Sequence, residues 1–158
     1  MADEERRRRG SLIVIGGGEE RDPKGERAIL REVARRVHGG KLVLATVASH
    51  RPEGYFDEYE EAFADLGIGE LVELYVEDRT EAGDREKLQV LDDAAAVFFS
   101  GGDQLRITSQ IGDSGIEAKV RRLYERGGLV AGTSAGASVM SDMMLVRGTS
   151  SETHRIGD

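Results

Sequence analysis

At 158 residues, with 39% hydrophobic and 33% charged side chains, the chain has the balance of one folded domain and not that of a disordered segment. The absence of cysteine excludes disulfides and thiolate metal sites, and a formal net charge of -8 argues against nucleic acid as the main partner. The lack of cysteine also leads to the expectation of a cytoplasmic protein, and no run approaches the roughly 20 apolar residues of a membrane span, so no membrane partner is expected.

The basic run Arg6 to Arg9 precedes the apolar stretch Leu12 to Ile15. Four apolar residues are too few for the core of a secretion signal, which takes roughly 7–15. Residues 1–10 therefore read as a solvated basic arm, and 11–158 as a single α/β domain. Leu12 to Ile15 is a β-rich strand ending at Gly16, Gly17 and Gly18. Glu26 to Val37 places Ala28, Ile29, Val33, Ala34 and Val37 at helical spacing, and Gly39-Gly40 stops it. Lys41 to Val47 is the next strand, Tyr55 to Leu66 a helix closed by Gly67, and Leu71 to Val76 a third strand. Arg85 to Leu91 predicts a short helix and Ala94 to Phe99 a buried strand that runs into Ser100-Gly101-Gly102. Gly115 to Arg126 is a helix with Ile116, Val120, Leu123 and Tyr124 inward, and Leu129 to Ala131 is a short strand. A further helix is expected over Ala135 to Met140.

Strands alternating with helices imply an open parallel sheet covered on both faces. In such sheets ligands bind beyond the carboxyl ends of the strands. Three glycine-rich turns fall at those ends: Gly16 to Gly18, Gly101-Gly102, and Gly132 to Gly136. Gly16-Gly17-Gly18-Glu19-Glu20-Arg21 is not a dinucleotide fingerprint, because it lacks the third glycine and carries acids where phosphates would sit.

Gly132-Thr133-Ser134-Ala135-Gly136 is a G-x-S-x-G element between a predicted strand and a predicted helix. A nucleophile elbow has this form: the turn holds a serine clear of the sheet, and the next helix aims its first N–H groups at the same point. In a glycine-rich chain the bare pattern is unspecific, and a tight turn with a capping serine satisfies it equally. As a nucleophile, Ser134 needs amide donors for an oxyanion. The Ala135 N–H is the natural first donor and Gly102 the candidate second, although Gly101-Gly102 also fits an ordinary loop. Ser134 also needs a base. Of the three histidines, His38 fits a helix cap and His50 a solvated loop. His154 reaches Ser134 only if the polar stretch around it folds back.

Several segments together resemble the cyanophycinase family of serine peptidases. They are Ile15-Gly16-Gly17-Gly18-Glu19, Phe98-Phe99-Ser100-Gly101-Gly102-Asp103-Gln104, Gly132-Thr133-Ser134-Ala135-Gly136-Ala137-Ser138, and Met140-Ser141-Asp142-Met143-Met144. The resemblance implies a flavodoxin-like fold related to class I glutamine amidotransferases. It implies hydrolysis of cyanophycin, a poly-aspartate bearing arginine on each β-carboxyl, to β-Asp-Arg dipeptides. Ser134 is then the nucleophile, Gly102 and Ala135 the oxyanion donors, and Gln104 a substrate contact with Asp103 beside it. The family's histidine and acid lie further along the chain than Asp158. They are assigned to no residue here, and the domain is expected to be partial at its C-terminal end. The resemblance further suggests a homodimer, and no metal or cofactor is implied. The alternatives are a related α-aspartyl dipeptidase acting on short peptides, or an inactive fold that binds small ligands without cleaving them.

Overall fold

The computed structural model describes residues 9–140, and the backbone of two further strands at 144–147 and 155–157. The expected arm, apart from its last two residues, and His154 lie outside the described residues. Five parallel strands form the main sheet: β1 (Ser11–Ile15), β2 (Lys41–Ala45), β3 (Glu70–Leu74), β4 (Ala94–Phe99) and β5 (Leu129–Thr133). Their order is β1-β5-β4-β2-β3. The register pairs Ile15 with Thr133, Phe99 with Gly132, and Ala45 with Phe99. The carboxyl ends of the three strands before the glycine turns are thus aligned along one edge of the sheet. Strands β6 (Met144–Arg147) and β7 (Arg155–Gly157) form a separate antiparallel pair that sequence patterning does not predict.

Helices cover both faces, as the alternation requires. On one face α1 (Ala28–Val37) and α2 (Pro52–Phe63) bury Leu30, Val33, Val37, Tyr59, Ala62 and Phe63 against Leu42, Leu44, Phe98 and Ala131. The other face carries a 3-10 turn (Glu81–Gly83), α3 (Arg85–Val90), α4 (Gln104–Ile111) and α5 (Gly115–Glu125). There Ile107, Ile111, Ile116 and Leu123 pack on Val43, Val97, Phe99 and Val130. A final short helix, α6 (Ala135–Ser138), follows β5. Consecutive residues of a strand point to opposite faces, so a sheet covered twice needs near-continuous apolar strands. Leu42-Val43-Leu44-Ala45 and Ala96-Val97-Phe98-Phe99 are such runs, and all eight side chains are buried. Edge strand β1 differs: Ile15 is buried, whereas Leu12 and Val14 on the opposite face are exposed.

Helix α1 begins two residues later than its periodicity predicts, because Arg27 adopts φ 47° and breaks the helical path. Its side chain is buried and its guanidinium grips Asp65 with two hydrogen bonds, 2.6 and 3.1 Å, and the Ala62 carbonyl at 2.7 Å. This fork ties the start of α1 to the end of α2. Among the described residues no helix is long and apolar enough to cross a membrane.

Several surface carboxylates are held ionised by neighbours. Hydrogen bonds from Arg35 and Arg36 lower Glu32 from its ordinary 4.5 to about 2. Arg27 lowers Asp65, and Lys119 lowers Asp92. The Asp113 backbone N–H, followed by Arg121, lowers Glu117. A carboxylate depressed in the folded state contributes stability above its unfolded value and loses it as pH falls through the folded value. Thermal melts are therefore expected to show a falling midpoint as pH drops from about 4.5 toward about 2. Most of these pairs face solvent, so high salt should flatten that slope.

Candidate active site

Strand β5 ends at Thr133, and Ser134 follows with φ 52° and ψ -113°. That is a sparsely populated conformation for a residue with a Cβ, and such conformations persist only where surroundings enforce them. The enforcement is visible. The Ser134 N–H donates to the Ile15 carbonyl at 3.0 Å, and its own carbonyl accepts from the N–H groups of Ala137 and Ser138 at 3.0 and 3.1 Å. The two flanking glycines allow the tight packing: a Cβ on Gly132 would lie 2.3 Å from the Gly136 carbonyl oxygen, and one on Gly136 would lie 2.2 Å from the Phe99 oxygen. Ser134 is exposed while Thr133 before it and Ala135 and Gly136 after it are buried. The serine stands out at the end of the sheet, as the elbow motif predicts.

All three glycine turns meet at this point. A Cβ built on Gly17 would lie 3.7 Å from Ser134 Cβ, and one on Gly101 would lie 3.5 Å from it and 4.0 Å from Oγ. Gly102 has φ 139°, and a Cβ there would strike the Ala48 carbonyl at 2.4 Å. The next N–H, of Asp103, donates to that same carbonyl at 2.9 Å. The middle glycine pair is thereby fixed between β2's extension and the elbow. Ala135 opens α6, so its N–H has no acceptor within the helix.

Asp103 is the N-cap of α4: its Oδ1 accepts from the Leu105 N–H at 2.9 Å. Gln104 is the helix's first residue and is half-buried. Sequence patterning predicts no helix over 104–111, because only Ile107 and Ile111 turn inward and two residues make a weak period. Arg106 pins this helix. Its guanidinium donates to the carbonyls of Val47 at 2.9 Å and Glu77 at 3.2 Å and to Tyr75 Oη at 2.7 Å, and lies 5.6 Å from the Tyr75 ring centre.

His38 is exposed at the C-cap of α1 with φ 53°, the capping role its position suggests. His50 is exposed and lines a shallow cleft with Asp103, Leu105 and Arg106, and Ser134 is not part of that lining. A separate apolar groove of about 530 Å³, lined by Leu12, Phe99, Ile107, Val130, Val139 and Met140 among others, includes none of the predicted site residues. Among the described residues no group of three histidines or carboxylates is placed to hold a metal ion.

Sequence reasoning missed one part of the surroundings. Glu19 is buried, and its Oε2 accepts from Thr133 Oγ1 at 2.7 Å while Oε1 accepts from the Tyr59 hydroxyl. Burial, and then Glu19, push the Tyr59 hydroxyl above its ordinary range, so it remains a donor. A carboxylate directly after three glycines was the available signal.

A parallel α/β sheet with a strained, exposed serine at a strand-to-helix elbow defines the nucleophile-elbow class of architecture. Residues 12–155 match the model of Peptidase family S51, and the chain belongs to that family. It is 33% identical over 129 residues to cyanophycinases of Synechococcus elongatus and Thermosynechococcus vestitus, a match covering 80% of this chain and 40% of each relative. Against the cyanophycinase of Geminocystis herdmanii it is 32% identical over 118 residues, 73% of this chain and 43% of that protein. The chain thus spans well under half the length of these curated relatives. The fold is similar to a solved peptidase from an acI-B1 Actinobacterium, with a TM-score of 0.73 at 24% identity over 87% of this chain and 59% of that one. It is also similar to a putative peptidase E protein from Listeria monocytogenes EGD-e, with a TM-score of 0.64 at 18% identity over 86% of this chain and 64% of that one.

Proposed function

We propose that this chain carries the nucleophile of a serine exopeptidase that hydrolyses cyanophycin to β-Asp-Arg dipeptides. The observation that carries the reading is Ser134, exposed and strained at the meeting point of three glycine turns. Membership of the S51 family and likeness to proteins named cyanophycinase support it.

In this reading Ser134 Oγ attacks the scissile carbonyl carbon while its proton passes to a base. The carbonyl oxygen becomes an oxyanion that accepts from the N–H groups of Gly102 and Ala135. Collapse of the tetrahedral intermediate expels the amine, which takes up a proton, and leaves an ester on Ser134. Water then attacks the ester, and the acid product and the free hydroxyl are released. Gln104, anchored at the start of α4, holds substrate, with Asp103 beside it. The base is assigned to no residue of this chain. A net charge of -8 suits a substrate with an arginine on every repeat.

The test compares cyanophycin with short α-aspartyl peptides as substrates of the protein encoded by the whole gene. The expected kcat/KM favours the polymer by about 10-fold or more. The reverse order would make the protein an α-aspartyl dipeptidase. Turnover of neither, with no reaction of Ser134 toward a fluorophosphonate, would leave only a ligand-binding fold.

A further inference from the structure

We propose that Glu19 is a positioning residue that locks the Gly16–Gly18 turn and the serine elbow into one rigid unit. The inference rests on reading Ser134 as the nucleophile, and it adds a residue to that reading that neither the elbow motif nor the oxyanion geometry requires.

The connections form a closed ring. Ile15 leads through Gly16, Gly17 and Gly18 to Glu19 along the chain. Glu19 Oε2 accepts from Thr133 Oγ1 at 2.7 Å. Thr133 is bonded to Ser134, and the Ser134 N–H returns to the Ile15 carbonyl at 3.0 Å. Both ends of the glycine turn are therefore fastened to consecutive residues of the elbow. Within the ring Gly17 and Gly18 have φ 101° and 70°, and the Gly17 position faces Ser134 Cβ.

The ring is in turn anchored to the core. Glu19 Oε1 accepts from the Tyr59 hydroxyl, and Tyr59 is 1% exposed with its ring 5.1 Å from that of Phe98. Thr133 is 4% and Glu19 8% exposed. A buried carboxylate is costly unless its lone pairs are met, and apolar side chains of similar volume often serve stability as well or better. Two hydroxyl donors, one from the residue before Ser134 and one from the core, meet that need. Three successive glycines have large conformational freedom, so without a tether they would not hold one position beside the serine.

The test uses Thr133→Val, which keeps the shape and removes the donor, Thr133→Ser, which keeps the donor, and Glu19→Gln. Three quantities are measured: the maximal rate of Ser134 modification by a fluorophosphonate, its half-saturation concentration, and the fraction finally labelled. Amide hydrogen exchange at Gly17, Gly18 and Ser134 is followed in parallel. Thr133→Val is expected to lower the maximal rate by about 10- to 100-fold, as small misplacements of reacting groups do, with half-saturation within about twofold. Thr133→Ser restores the rate to within about threefold, and Ser134 amide exchange quickens in the Val variant only. A smaller labelled fraction at an unchanged rate would mean that Thr133 serves folding alone and would overturn the proposal. So would wild-type rate and exchange in both Thr133→Val and Glu19→Gln. If the unmodified protein is not labelled at all, the nucleophile reading falls. Ser134 exchange then decides the role of Glu19 by itself: faster in Thr133→Val supports the tether, unchanged refutes it.

Discussion

Ser134→Ala is expected to lower turnover of an aspartyl substrate by roughly 10^4- to 10^6-fold, the range found when a nucleophile is removed from a serine peptidase. Michaelis constants measured on the residual activity should change little, because the hydroxyl makes its decisive contact only as the bond forms. Stability separates two further outcomes. Alanine keeps a Cβ at φ 52° and ψ -113°, so the strain remains and the melting temperature should hold. Ser134→Gly relieves that strain and is expected to stabilise the fold by about 1 kcal/mol while abolishing turnover equally. A more stable, inactive glycine variant would show that the backbone is held in a costly shape for the sake of the side chain. Unchanged turnover in either variant would remove Ser134 from the chemistry. The measurements are steady-state rates on the whole encoded protein and a thermal melt of each variant.

Gly136→Ala is the change with the largest expected effect on the fold. The added methyl would fall 2.2 Å from the Phe99 carbonyl oxygen and 2.8 Å from the Phe99 carbonyl carbon. Both belong to the backbone of β4, a strand with neighbours on each side and five of its six residues buried, and neither can swing away. Forcing β4 and the elbow apart is expected to cost about 3 kcal/mol or more. For a chain of this size that corresponds to roughly 10 °C in melting temperature. Activity should fall with it, since β4 carries Gly101 and Gly102 toward Ser134. Gly54→Ala is the matched control. Gly54 lies exposed within α2 with nothing within 4 Å of an added Cβ, so alanine should stabilise by about 0.5–1 kcal/mol. Equal and mild effects at both positions, read by chemical denaturation, would mean that the elbow is not packed as described.

The elbow and the glycine turns were legible in the sequence because each depends on a residue type that nothing else replaces. Gly132 and Gly136 are required by backbone contacts closer than any Cβ tolerates, so they stand out as letters. The buried strands were legible for a similar reason: Ala94–Phe99 is covered on both faces and carries no polar residue at all. Helix α4 was not, since only Ile107 and Ile111 turn inward, and the Asp103 cap and the Arg106 clamp that also hold it are not periodic signals. The start of α2 at Pro52 was missed because the apolar pattern begins only at Tyr55, whereas a proline in the first turn needs no apolar partner. Glu19 was hidden for a deeper reason. Its partners Tyr59 and Thr133 lie 40 and 114 residues away along the chain, so its place after three glycines marks the carboxylate without naming what it binds. The base for Ser134 was not legible either: His38 caps α1, and His50 lines a cleft whose lining does not include the serine.

Whether Ser134 is the nucleophile facing two main-chain donors is decided by a crystal structure of the whole encoded protein after reaction with a fluorophosphonate. Phosphorus is expected to be bonded to Ser134 Oγ, with the phosphonyl oxygen within hydrogen-bond reach of the Gly102 and Ala135 N–H groups. An adduct on another residue, or a phosphonyl oxygen turned away from both amides toward solvent, would contradict it.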